Sequence, residues 1–490
     1  MDDRLDVASL AARHLAIFTR PAALEPKPQL MQFDGPLAGN GVIGLGITGP
    51  ARHLVLHLGR NDFWNDIAVP FVGTGTHPTM AGDAAGEDPW ICYRNPLGRL
   101  RRWPRAQWQP GVIGFARLHL ELPGLTDETL RHEQDLHAAE IRSCLGGGAV
   151  DLRCLVAAEA PCLLIEVVNR SGVAQEAIIT AEALWDQHRD YPTGAGVADG
   201  LAWVERSTNP AGERWRTRAA LALRVDGCEH HLDRHDDRHA VSRLCLPPAG
   251  RALLVVAQAS TREIADPQAE ALRLARTLEP TAVEARHSAW WRGWWDRSAL
   301  TLHDPVLERC WYGSTYLLGC ISRPGRLVPG LYGPWVFHDY PMWCSDYHLN
   351  YNLQSPFLGC FADNRGEAAL PFIDFMEACL PVGRADARRF NSRGIHLPVC
   401  FGPDGIVCED NDWGQRSNAL FCAVIHLWHW RHHRDVALLR SRLYPYLSEV
   451  AAFWESYLEA DASGRLVVRD SCANEDSDVR GLMDGAGRPC

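Results

Sequence analysis

The chain has 490 residues, enough for two or three domains, and its 49 basic against 60 acidic residues give a net charge of -11. That balance argues against a nucleic-acid groove or a polybasic membrane patch and favours a small neutral ligand. The single lysine, Lys27, lies in the loop-like "EPKPQ", which removes Schiff-base and P-loop chemistry, and the 16 cysteines contain no C-x-x-C pair, which removes the usual zinc spacings.

In chain order, the start "MDDRLDVASLAARHLAIF" is acidic and lacks a basic segment leading into a long apolar run, and nowhere do eighteen apolar residues follow one another. A soluble, cytoplasmic protein is expected. From about residue 30 to 260, short apolar or alternating runs such as "HLVLHLG", "FARLHLELPG", "DLRCLVAAEAPCLLIEVVNRSG" and "RALLVVAQAS" are punctuated by Gly, Pro, Asn and Asp, which predicts a β-sandwich over residues 1–265. Within it "GLGITG", Gly44 to Gly49, fits G-x-G-x-x-G. Pro50 and the strand-like "HLVLHL" supply no helix there, so the glycines read as tight turns and a dinucleotide site is excluded.

At "DPQAEALRLARTL" the texture becomes helical, with Asp266 as cap and Pro267 in the first turn, followed by "HSAWWRGWWDRS"; residues 266–300 are expected to form a helical linker. After it come "DPVLERCWYGSTYLLGCI", "RGEAALPFIDFMEACL", "SNALFCAVIHLWHWRHHRD" and "DVALLRSRLYPYLSEVAAFWESYLEA", all of helical period, so residues 301–490 are expected to be all-helical. No G-x-S-x-G elbow and no H-E-x-x-H occur. His429 and His433 share a helix face but have no acidic or cysteine partner at matching spacing, so no metal and no cofactor are expected. Flat indoles suit sugar rings, although most of the 18 tryptophans are expected to fill the core.

The stretch "DYHLNYNLQ", Asp346 to Gln354, alternates His348, Asn350, Asn352 and Gln354 with Leu349, Tyr351 and Leu353; an extended backbone would set the four polar side chains on one side. It follows "SRPG" (322–325), "GLYGPW" (330–335) and "PMW" (341–343). In this order the pieces resemble the catalytic domain of glycoside hydrolase family 95, the α-L-fucosidases and their α-L-galactosidase relatives. "GPLAGNGVIGLGITG", "HLWHWRHHRD", "YPYLSEVAAFWESYLEAD" and "GRLVVRDSCANED" extend the resemblance in both directions. Two departures, "NLQSPFLG" after the asparagines and His429 where the family has Glu, separate the chain from an obvious fucosidase.

The resemblance implies a β-sandwich (super-sandwich), a helical linker and the first part of an (α/α)6 toroid. It also implies inverting hydrolysis of terminal α-L-fucosyl or α-L-galactosyl groups on an oligosaccharide or glycoconjugate. By motif Glu475 is the general acid, Asn350 and Asn352 position the attacking water, and a more C-terminal Asp takes the proton, because an amide cannot. His348 and Gln354 are expected to bond sugar hydroxyls or to support the asparagines, and Trp335, Trp343 and Trp413 are candidate pocket walls. A six-hairpin toroid needs twelve helices and more than ~200 residues. The stretch from 301 onward is shorter, so a chain ending before the family's base is expected. Rival readings are a carbohydrate-binding protein without hydrolysis and a related barrel phosphorylase.

Overall fold

The computed structural model describes residues 7–22, 33–65, 90–94, 100–104, 111–185, 191–208, 215–339, 341–409, 414–468 and 471. The chain divides into two compact units, one of Met1–Ile321 with Tyr332–Ser345, the other of Ser322–Leu331 with Asp346–Cys490.

The first unit is rich in β-structure. One antiparallel sheet has nine strands and runs from Leu15–Phe18 at one edge, through Cys162–Asn169 and Arg251–Ser260 at its centre, to Thr193–Ala198 at the other; a second has seven strands, from His230–Arg234 to Leu37–Gly39. Leu45, Leu56 and Leu118 of the seven-stranded sheet share one core with Ile141, Leu152, Leu163 and Leu254 of the nine-stranded one, so the two sheets pack face to face. The central strands are apolar on both faces for a reason of period two. Leu163 and Leu254 enter that core, while Leu164 and Val255 point the other way, onto Ala271, Ala275 and Val283 of the helices Pro267–Thr277 and Pro280–Trp295.

The helix starts follow their capping signals. Asp266 accepts from Ala269 N at 3.2 Å ahead of Pro267, and Asp304 accepts from Val306 N at 2.8 Å ahead of Pro305–Ile321. The tryptophan run is core at Trp291, Trp294 and Trp295, which lie at 4% exposure or less.

"GLGITG" is corrected by the structure. Gly44 and Gly46 lie inside the strand Ile43–Thr48, not in turns, and only Gly49 takes a left-handed φ, of 94°. Gly44 pairs in register with Gly59 of the neighbouring strand. A Cβ on either would meet the Pro334 carbonyl oxygen, at 2.3 Å from position 44 and 2.1 Å from position 59, and one at Gly46 would meet the Phe337 ring. The glycines bare the sheet so that residues 334–337 can lie directly on it.

The second unit is mainly helical, with Leu370–Ala378, Leu380–Ala387, Asn418–His433 and Tyr444–Tyr457 as its longer helices and a three-stranded sheet of Tyr347–His348, Cys400–Phe401 and Val407–Glu409. The expected run "RGEAALPFIDFMEACL" divides into a 3₁₀ turn and the helix Leu370–Ala378, and a second short helix, Leu380–Ala387, begins at its last residue, with Pro371 and Pro381 in the first turn of each helix. Its core includes Phe357, Phe372, Cys422 and Tyr446, all at 2% exposure or less. Among the described residues no helix is long and apolar enough to cross a membrane.

Candidate functional site

The residues singled out by sequence fall into both units. In the first unit, the segment 332–345 is pinned to the sandwich at several points. Trp335 is half-buried and gives its indole N–H to Ala38 O at 2.9 Å, beside the glycine seat, so its place is that of an anchor on the sheet. Asp339 receives both terminal nitrogens of buried Arg206, and Gly114 N donates to His338 O at 3.0 Å. Trp343, Cys344 and Ser345 then take three successive left-handed φ values of 48°, 54° and 50°, although none is glycine or asparagine. Such residues cost roughly 1–3 kcal/mol each, so the surroundings must enforce them. Cys344 N bonds Pro341 O, Ser345 Oγ accepts from Tyr332 N, and the Cys344 carbonyl sits where a Cβ on Gly111 would be. The outcome is an indole held out to solvent: Trp343 is 56% exposed.

In the second unit, the extended reading of "DYHLNYNLQ" is overturned. Only Tyr347 and His348 are strand, paired with Phe401 and Cys400. Leu349 N still reaches Val399 O, but Leu353 N then returns to His348 O at 2.9 Å and Gln354 N to Tyr351 O at 3.1 Å. The chain coils, and its polar side chains separate instead of sharing one side. His348 is buried, Asn350 is half-buried, Asn352 is exposed on the turn, and Gln354 is fully enclosed. The Gln354 amide donates to Leu349 O at 2.5 Å and faces Cys422 Sγ at 3.2 Å on the helix Asn418–His433. It therefore braces the turn from inside. Beside Asn352, Tyr351 is exposed and stacked on Phe421.

Two residues that sequence reasoning passed over complete this site. The Asp346 carboxylate contacts Nδ1 of His348, and Cys400 Sγ lies 3.9 Å from each ring nitrogen. Burial raises the Asp346 carboxyl above its ordinary range, with the hydrogen bonds from His348 and Cys400 pulling the other way. A carboxylate on Nδ1 fixes the orientation and tautomer of the ring. Asp346, His348 and Cys400 are also the group of three donors, among the described residues, whose atoms lie close enough to hold one metal ion. Asp346 was legible as a residue two before a strand histidine and so on its face. Cys400 was not, since only the strand pairing brings it there.

Glu475 and Trp413 lie outside the described residues. The end of the helix Asn418–His433, rich in His and Arg, is partly exposed: His432 and His433 are exposed, while His426 and His429 are buried, with His426 stacked on Tyr446 at 4.2 Å. Burial lowers both, His426 to about 3 and His429 to about 4, so each is a neutral packing group near pH 7.

Residues 259–485 match the Glycosyl hydrolase family 95 catalytic domain. The chain is 31% identical over 175 residues to "Probable alpha-fucosidase A" of Aspergillus niger, covering 34% of this chain and 22% of that protein. It is 29% identical over 195 residues to "Alpha-L-fucosidase 2" of Arabidopsis thaliana, covering 36% of this chain and 22% of that one. The match thus spans about a fifth of the length of these curated relatives. Among solved structures, "Putative kojibiose phosphorylase from human microbiome" superposes with a TM-score of 0.63 at 9% identity, over 94% of this chain and 62% of that one. At that identity the likeness concerns the fold.

Proposed function

We propose, from the premise that residues 259–485 make this chain a glycoside hydrolase family 95-like protein, that it acts on terminal α-L-fucosyl or α-L-galactosyl groups of an oligosaccharide by inversion. The observation that carries the reading is this match together with the asparagine turn inside it, which sets Asn352 on the surface of the second unit while buried His348 and Gln354 hold the turn from below. Inversion requires an acid to protonate the leaving oxygen and a base to take a proton from water on the opposite face of the sugar. In this scheme Glu475 is the acid. Asn350 and Asn352 orient the water through their amides, and a carboxylate elsewhere receives its proton. The exposed indole of Trp343 offers a flat apolar face of the kind that stacks on a sugar ring. We further assign residues 1–265 to the sandwich, 266–300 to a helical linker and 301–490 to the start of an (α/α)6 toroid.

The test is turnover of aryl α-L-fucoside and aryl α-L-galactoside by the native protein and by Glu475→Gln, with the anomer of the released sugar read by NMR. Hydrolysis that inverts the anomeric centre and falls at least ~100-fold in Glu475→Gln is the expected result. Turnover of neither substrate, with sugar binding retained in calorimetry, would replace hydrolysis by carbohydrate binding alone.

A further inference from the structure

His348 and Cys400 are register partners on opposed strands, and Asp346 lies two residues before His348, so backbone pairing alone brings three side chains together. Their chemistries differ: a carboxylate oxygen, an imidazole nitrogen and a thiol sulfur, all within 4.8 Å of one another. All three side chains are buried, at 6%, 6% and 2% exposure. A carboxylate in such a place is expensive unless paired, and burial indeed raises the Asp346 carboxyl.

We propose that Asp346, His348 and Cys400 form a binding site for a borderline-soft divalent cation of the zinc class, stapling the strand Tyr347–His348 to Cys400–Phe401. The mixed O, N and S donors select this class over magnesium or calcium, which take oxygen ligands. Bonds of about 2.0–2.3 Å around a tetrahedral ion separate the donors by roughly 3.3–3.7 Å. The sulfur stands 3.9 Å from each imidazole nitrogen, a few tenths from that spacing, while the carboxylate now touching Nδ1 draws back as the cation replaces the proton between them. Charge also balances. Binding releases the thiol proton and the proton between Asp346 and Nδ1 passes to Nε2, so the dication offsets one thiolate and one carboxylate beside a neutral imidazole. Three protein donors leave a fourth position, as in open rather than closed zinc sites. The assignment does not depend on glycosidase activity.

The experiment is metal analysis of the full chain after equilibration with Zn²⁺ and removal of free ion, with Co²⁺ as a spectroscopic probe. One tightly held Zn²⁺ per chain and a thiolate-to-cobalt charge-transfer band are expected. Cys400→Ser should abolish the band and weaken zinc binding by more than ~10-fold, Asp346→Asn should weaken it similarly, and the control His433→Gln should change neither. Because Cys400→Ser is nearly isosteric, circular dichroism checks that it folds. No bound metal in the native protein overturns the proposal and leaves a hydrogen-bonded trio; a band that survives Cys400→Ser overturns it by placing the ion at another cysteine.

Discussion

Arg206 and Asp339, 133 positions apart, meet as a bidentate pair inside the first unit, Nη1 to Oδ1 at 2.7 Å and Nη2 to Oδ2 at 2.5 Å, with side-chain exposures of 0% and 4%. The pair joins the strand Leu201–Ser207 to the loop that carries Trp343. Two charges so deep gain little over an apolar pair of equal volume, but either one alone is stranded. Asp339→Ala should therefore destabilise the first unit by about 3–5 kcal/mol, and the double variant Arg206→Met with Asp339→Leu should recover most of that loss. Thermal unfolding followed by circular dichroism reads both. A single variant as stable as the parent would show that the contact carries no such energy.

The glycine seat gives a second contrast. Gly59→Ala would drive a methyl into the Pro334 carbonyl, a backbone atom that cannot swing aside, and should cost at least about 1–3 kcal/mol. Gly293, in the helix Pro280–Trp295, has open space where its Cβ would be, and Gly293→Ala should stabilise by about 0.5–1 kcal/mol through helix propensity. Opposite signs from the same chemical change, measured by denaturant titration, are the expected result.

Histidines set the response to mild acid. Burial lowers His132 to about 4 and His426 to about 3, against an ordinary value of 6.5. Below pH 6.5 the unfolded chain takes up protons that the folded chain refuses, so stability falls with pH down to those folded values. Each residue contributes up to about 1.4 kcal/mol per pH unit. Urea unfolding at pH 7 and pH 5 should show this loss, and His132→Asn should lessen it for the first unit, where buried His57 still contributes. Depressed carboxylates such as Asp62 and Asp386 lose their contribution only as pH falls below the ordinary carboxyl range, outside this window.

Within the asparagine turn, position decides between chemistry and support. Asn352 is exposed, so Asn352→Ala should leave the melting temperature within about 1 °C of the parent while lowering kcat on an active substrate by roughly 100-fold or more. Gln354 is enclosed and holds Leu349 O, so Gln354→Ala should destabilise by about 1–3 kcal/mol before any effect on chemistry is considered. Equal thermal losses in the two variants would remove the distinction.

How far these features were legible depends on how local their causes are. Asp266–Pro267 and Asp304–Pro305 announce helix starts because cap and first turn are neighbours in sequence, and the apolar runs around residues 163 and 254 announce strands because burial repeats every second residue. Alternation misled at residues 349–354, where the turn is fixed by backbone bonds to His348 and Tyr351 that no spacing displays. "GLGITG" misled for the same reason: its glycines answer to Pro334, nearly 300 residues on. At the site, the motif named His348 and the asparagines, while Cys400 arrives through strand pairing across 52 positions.

That glycine seat also orders assembly. Gly44 and Gly59 become neighbours only once their two strands have zipped in register, so the surface on which residues 334–337 rest does not exist in a partly paired sheet. The strap bearing Asp339 and Trp343 can take its native seat only where those strands are paired, and doing so closes a loop of nearly 300 residues. A slip of one residue between those strands would turn side chains toward the strap and leave it nowhere to settle, which makes its docking a proofreading step for the sheet beneath it.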